Sequence, residues 1–370
     1  MLIARVLLDA GQPQGAEIAA RTAMKLQSDS FAARFLLGTS LRHQGKKIRS
    51  EFHLRRALDL ASSDRERRLA RQAMGYVQAT RDWDATLTLG IAPTTNVGKK
   101  SDSDYLGIAI PGLFNNTPNQ AETSSDRGVF YGLSVTRNIK LDHGGAKFTL
   151  GQVRRDYSDD DYDSKSSTIS GLWYGKQVNG RQSYVRVDRN WAEYFGDLYS
   201  TNTAITVGQS FASLGNRSGS VSLTRNTEDL ADSDTVNKST TLVVKHDILR
   251  RPRYVISGQV SLADKTSTNS FNHSFATDFT LSGRFNPKGT GWLLNGSLTR
   301  GFETWDNRNP FFITDRKDQE WVARVGAQNQ NFSLFGLTPT LSLTYQNRNS
   351  TVDFYDLKSS DYFLGVTNAF

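Results

Sequence analysis

Two hydrophobic periods divide the chain. Residues 1 to 80 space their apolar positions three or four apart, as amphipathic helices do, and from Trp83 onward apolar and polar residues alternate. The change predicts a small all-α domain over 1–82 and a mainly β domain over 83–370. In its first strand Leu87, Leu89 and Ile91 alternate with Thr86, Thr88 and Gly90. The same reading predicts fourteen strands, at 84–92, 129–138, 146–157, 166–178, 181–191, 199–211, 217–226, 237–248, 254–264, 271–285, 291–302, 318–330, 339–348 and 361–370.

The connections are of two kinds. Tight turns are expected at 138–145, 178–181, 212–217, 249–253, 286–291 and 331–339. Longer segments rich in Asp, Asn, Ser and Thr are expected at 93–128, 158–165, 192–198, 227–236, 265–270, 303–317 and 349–360. Short turns on one rim and long loops on the other are the asymmetry of an outer-membrane β-barrel, and an even strand count puts both barrel ends on the short-turn, periplasmic side. Most of these strands are longer than the ~5 to 6 residues usual in globular sheets. Aromatic residues gather at the strand ends: Trp191, Tyr194, Tyr199, Phe302 and Trp305 near proposed outer loops, Phe211, Phe285 and Trp292 near inner turns. They predict two interfacial girdles.

Composition agrees with this reading. A mean hydropathy of −0.50 and no run of ~20 apolar residues exclude a helical membrane bundle, whereas a barrel shows only every second strand residue to lipid and so reads as hydrophilic. There is no cysteine, which suits an oxidising periplasm. Residues 1 to 83 hold 15 Lys and Arg against 8 Asp and Glu, so most of the net charge of +8 belongs to the helical part. No zinc spacing, aromatic RNA-binding motif or basic tract accompanies that charge, and a nucleic-acid partner is not expected.

Within the helical part an internal repeat of 34 residues brings Leu7 onto Leu41, Gly11 onto Gly45, Ala23 onto Ala57 and Met24 onto Leu58. With Leu37 and Gly38 at the expected offsets this resembles a tetratricopeptide (TPR) helix pair, although Arg34 and Ser62 depart from the pattern and a generic helical hairpin array stays open. The repeat face marks Arg34, Leu37, Leu41 and Arg42 as candidate residues of a binding groove, against the alternative of packing residues beside a solvated basic face. MLIARVLL carries no secretory leader, so the N-terminus of an exported chain is expected upstream.

The last residues, YFLGVTNAF, place Tyr362, Leu364, Val366 and Phe370 on one face. They resemble the C-terminal strand by which barrel-assembly machinery recognises its clients. GIAPTTNVG at 90–98, with Asn96, DRKDQEW at 315–321 and GLTPTLSLTYQNRNS at 336–350 are similar to patches of the surface lipoprotein assembly modifier family, whose barrel is of the DUF560 type. The resemblance implies a fourteen-stranded antiparallel transmembrane barrel in the bacterial outer membrane, preceded by a periplasmic TPR-like domain. It further implies a translocon or translocation helper that delivers lipoproteins or related secreted proteins to the cell surface. The partners it implies are the client, outer-membrane lipids and the assembly machinery, with the chain itself a monomer.

Two alternatives use no protein client. A passive porin needs a constricting loop, for which 93–128 with PGLFNN at 111–116 is the candidate, and a structural anchor or adhesin needs a sealed lumen. The carboxylates Asp156, Asp159, Asp160, Asp161 and Asp163 could hold calcium but lack the turn glycine and terminal Glu of an EF-hand, and the five histidines have no metal-ligand spacing. No cofactor and no enzymatic activity are expected.

Overall fold

The structure is a computed structural model. It describes residues 1–368 apart from 81, 104, 107–116, 119–122, 214–216, 252, 288–290, 313, 330–331 and 333–336. The chain divides into two compact units: Met1–Asp84 with 288–292 and 329–339, and the remainder.

The first unit contains five helices, α1 (Leu2–Asp9), α2 (Pro13–Leu26), α3 (Phe31–His43), α4 (Lys47–Asp59) and α5 (Asp64–Thr80). The repeat seen in the sequence reappears in the backbone. Gly11 N–H donates to Leu8 O and Gln12 N–H to Leu7 O; Gly45 N–H donates to Arg42 O and Lys46 N–H to Leu41 O. Both glycines adopt the left-handed conformation, φ 71° and 74°, which closes each helix where an L side chain would be strained. Two cores result. Ala4, Ala20, Leu37 and Leu41 form one; Leu54, Leu58, Ala70, Ala73, Met74 and Val77 form the other, with Phe31 and Phe35 against it. A Cβ on Gly38 would lie 2.7 Å from Leu54 Cγ, so α3 and α4 approach at a distance only glycine permits.

The second unit is built on a closed antiparallel barrel of fourteen strands. They are β1 (Trp83–Thr94), β2 (Asp126–Leu141), β3 (Gly144–Asp156), β4 (Ser164–Gly175), β5 (Arg181–Tyr194), β6 (Asp197–Ser213) and β7 (Arg217–Leu230), then β8 (Val236–Arg251), β9 (Tyr254–Ser267), β10 (Ser274–Phe285), β11 (Trp292–Trp305), β12 (Lys317–Asn329), β13 (Thr338–Ser350) and β14 (Leu357–Thr367). Each strand pairs with its sequence neighbours, and β14 returns to β1. The alternation becomes two faces. Leu150, Ile169, Val187, Ile205, Leu223 and Leu242 point outward and are exposed, whereas Thr136 meets Thr149, Thr206 meets Thr224 and Thr280 meets Thr299 on the lumen side. An apolar exterior around a polar interior is the inverse of a soluble core, and in lipid a closed ladder avoids the bare edges of an open sheet.

Several expected boundaries move. The segment 192–198 is not a long loop: β5 and β6 run on to a turn at Phe195 and Gly196, both at positive φ (57° and 86°), with a bulge at Ala192/Glu193. A two-residue turn of this hand matches the strand twist. The strand expected from 271 starts at Ser274, because Ser270–Asn272 form a 3-10 turn. The strand expected to reach 178 stops at Gly175, and Val178 pairs with Arg181 across an Asn179-Gly180 turn. The final strand, Leu357–Thr367, starts four residues earlier than the expected 361, and positions 369–370 of the expected strand lie outside the described residues. Asn368 instead accepts from Leu87 N–H through its side-chain oxygen (2.6 Å) and donates to Ala85 O (2.9 Å).

Candidate functional site

The lumen-facing residues sort by height. Near the outer rim Lys265 pairs with Glu303 (2.6 Å), and in the middle of β5 Arg186 pairs with Asp188 (2.8 Å). Residues of DRKDQEW form a knot of their own: Arg316 lies over the Trp305 ring at 3.6 Å and the Tyr355 ring at 3.3 Å and pairs with Asp318 (2.7 Å). Arg348 is 4.0 Å from the same carboxylate. Trp305 therefore differs from the other girdle candidates, since its cross-strand partner Ser274 donates to Glu303 on the lumen side. Tyr194 and Tyr199 pack edge to face at 5.2 Å. Phe285, Trp292 and Phe302 are exposed, while Trp191 and Phe211 are partly covered by Arg189 and His246.

The closure of the barrel is built differently from the continuous pairs that run from β2 to β11. Between β1 and β14 the registered partners are Thr88 to Ile91 with Leu364 to Thr367, then Thr94 with Asp361. β5 and β6 have fourteen such partners. Pro93 interrupts the closure because it has no N–H to give, and Gly90 faces Gly365 so closely that a Cβ on Gly365 would overlap Leu89 O. Side chains hold the two ends. At the outer end Thr94 donates to Asp361, Lys99 reaches Asp361 and Ser359 (2.7 Å each), and buried Asn96 donates to Lys358 O (3.2 Å) and Lys100 O (2.8 Å). At the inner end stands Asn368. The loop start carrying Asn96 is thus fastened to the wall; PGLFNN at 111–116 falls outside the described residues.

Three outer turns share a construction that the sequence reading passed over. Each contains a 3-10 turn, at Asp160–Tyr162, Ser270–Asn272 and Asp353–Tyr355. Each is closed by the residue after it bonding back six positions: Asp163 to Tyr157 N–H, His273 to Ser267 O, and Asp356 to Ser350 N–H. Burial and the neighbouring Asp353, Asp102 and Asp318 charges push the Asp356 carboxyl up. The Asp-rich loop spends Asp163 on this closure, and Asp159 caps Asp161 N–H. Among the described residues no group of three or more His, Asp or Glu is arranged to hold a metal.

Of the helical candidates, Leu37 and Leu41 are 1% and 0% exposed. Arg34 donates to Ser28 O (3.2 Å), and Arg42 lies 5.0 Å over the Tyr76 ring. Tyr362 and Leu364 lie exposed on the outer face of β14, and Val366 is opposite Leu89. Phe370 is outside the described residues.

The model of the family described as surface lipoprotein assembly modifier matches residues 83–370. The chain belongs to this family. Solved structures similar to the chain include a "Bacterial polysaccharide outer membrane secretin" (11% identity, TM-score 0.44, covering 77% of this chain and 98% of that one). An "Anion-selective porin from Comamonas acidovorans" is similar at 10% identity and TM-score 0.41, covering 78% and 99%. "Outer-membrane expressed OmpT of Vibrio cholerae" follows at 9% identity and TM-score 0.40, covering 77% and 96%. No curated protein sequence matches the chain. Membership and the closed barrel make this surface lipoprotein assembly modifier an outer-membrane barrel protein with a role in surface lipoprotein assembly, and both point to a non-enzymatic function.

Proposed function

We propose that the protein is a translocation device that carries lipoproteins, or related secreted proteins, from the periplasm to the cell surface. The domain over 1–82 is a TPR-like periplasmic receiver and the barrel over 83–370 is the passage. The carrying observation is the barrel closure. A lipoprotein must bring acyl chains across with its polypeptide, and those chains favour lipid over a wet lumen by ~0.8 kcal/mol per CH₂. A route for them has to open sideways. The β1–β14 closure, interrupted at Pro93 and latched at its ends by Asp361, Lys99 and Asn368, is the strand pair suited to part.

In the receiver, Leu37 and Leu41 serve packing, which leaves the guanidinium groups of Arg34 and Arg42 as the client-facing chemistry of that face. Joining receiver and passage in one chain raises the client concentration at the pore. Outer-membrane lipids contact the apolar exterior, and the strand bearing Tyr362, Leu364 and Val366 is the segment offered to barrel-assembly machinery. The test is surface labelling of candidate lipoproteins in cells with and without the gene. Loss of surface exposure on deletion supports delivery; lipoproteins that still reach the surface while small-solute uptake falls establish the porin instead.

A further inference from the structure

The lumen contains a basic cluster that the delivery role leaves unexplained. Lys245 on β8, Arg284 on β10 and Arg324 on β12 have lumen parity: their cross-strand partners include Gln259, Asn295 and Thr344. The alternate residues Val244, Leu281 and Val325 are exposed hydrophobics of the outer face. With Arg250 these three cations line one cavity of about 720 Å³.

Asp247 is the one carboxylate among the lining residues, and its hydrogen bonds are already used. It is 4% exposed and accepts from the Ser218 and Ser257 hydroxyls (2.7 and 2.8 Å) and from Arg250 (2.8 Å). Lys245, Arg284 and Arg324 have no carboxylate within ion-pair distance among the described residues. All three are exposed to the lumen, where low-dielectric walls focus their field.

We propose that this cluster binds carboxylates, and that its ligand is an acidic stretch of extended polypeptide within the lumen. The cations do not converge on a point. They stand on alternate strands, ~10 Å apart across the wall at ~4.8 Å per strand, and Arg284 lies a further ~13 Å along its strand from Thr280, the position level with Lys245. An extended chain advances ~3.3 Å per residue and places carboxylates at such intervals along its length. A single phosphate would not meet all three, and a lipid headgroup outside the wall would meet none. The source of the peptide rests on the delivery reading; the site itself does not.

The test uses the full chain purified in detergent and a fluorescent hexaglutamate peptide followed by anisotropy, with labelled hexalysine in parallel. Saturable binding of hexaglutamate alone, weakening with salt, is expected. R284Q/R324Q, checked for folding by its heat-dependent gel mobility, should bind at least tenfold more weakly, whereas K238Q, altered on the outer face, should bind as the parent does. No saturable binding, equal binding by R284Q/R324Q, or displacement by inorganic phosphate as effective as by unlabelled peptide overturns the proposal. A protein that binds the peptide yet delivers no lipoprotein sinks the delivery role and leaves this site standing. One that delivers but binds no peptide does the reverse.

Discussion

Thr88 Oγ1 and Thr367 Oγ1 lie 3.0 Å apart across the strand pair that closes the barrel. Three other pairs repeat the arrangement elsewhere in the wall, Thr136 with Thr149, Thr206 with Thr224 and Thr280 with Thr299, at 2.8 to 2.9 Å. The chain has no cysteine of its own, so each pair can be replaced by a cross-link against a clean background. Oxidised T88C/T367C is expected to lower surface delivery of a lipid-modified client at least tenfold, with recovery on reduction, while T136C/T149C and T280C/T299C leave delivery unchanged. Equal effects at all sites, read by surface labelling, would show that the closure is not the route.

The latch itself can be weakened. D361N leaves Lys99, Thr94 and Ser359 with a neutral partner and removes a charge-assisted bond, an effect of ~1–3 kcal/mol on the closed state. Hydrogen exchange is expected to quicken at β1 and β14 and to stay unchanged at β5 and β6.

Close packing of α3 on α4 should make G38A costly. Its new methyl meets Leu54 at 2.7 Å, and Ser50 already donates to Gly38 O at 2.7 Å, so a loss of ~1–3 kcal/mol is expected. L41A, which empties part of the other core, should cost ~2–5 kcal/mol. Denaturant melts followed at helix wavelengths check both.

Acid should loosen the helical unit in two steps. Burial, with Arg34 and Arg21 nearby and only Glu17 opposing, lowers the His53 pKa, and its Nδ1 is buried without a partner. The folded state therefore takes up that proton less readily than the unfolded chain, and stability falls as pH drops below ~6.5. Burial pushes Glu17 up, but hydrogen bonds from Gln44 and Lys46 and the Arg21 charge prevail and hold it below the usual range. Its contribution is complete above ~4.3 and disappears as pH falls through the folded value. Melts at a series of pH values should show the upper step removed in H53Q and the lower one reduced in E17Q, with Glu66, also held below the usual range by bonds from Ser62 and Ser63, supplying the remainder.

The period change at Trp83 made the architecture legible because a barrel has to alternate along every strand. What alternation could not place were the ends. Phe195 and Gly196 read as part of a polar loop because nothing in their neighbours signals left-handed backbone at a phenylalanine. Asn368 broke the apolar pattern of the last strand, and that break was the mark of a side chain that takes the Leu87 N–H while its own backbone N–H still donates to Leu87 O. Lys245, Arg284 and Arg324 lie far apart in sequence and come together only when strands two apart share a wall, so no local spacing announces them. Leu37 and Leu41 show the converse: a repeat face is conspicuous in sequence because it packs.

The matching outer turns at 160–162, 270–272 and 353–355 separate stem from tip. In each, the bond back over six positions is made by the residue beyond the tip, so the hairpin base is fixed without help from the side chains at the crown. Epitope tags spliced into the crowns at 160–162 and 270–272 would leave the stems closed, giving two permissive insertion points at which antibody access to intact cells reports the orientation of the barrel, whereas the crown at 353–355 is held by Arg316 over Tyr355.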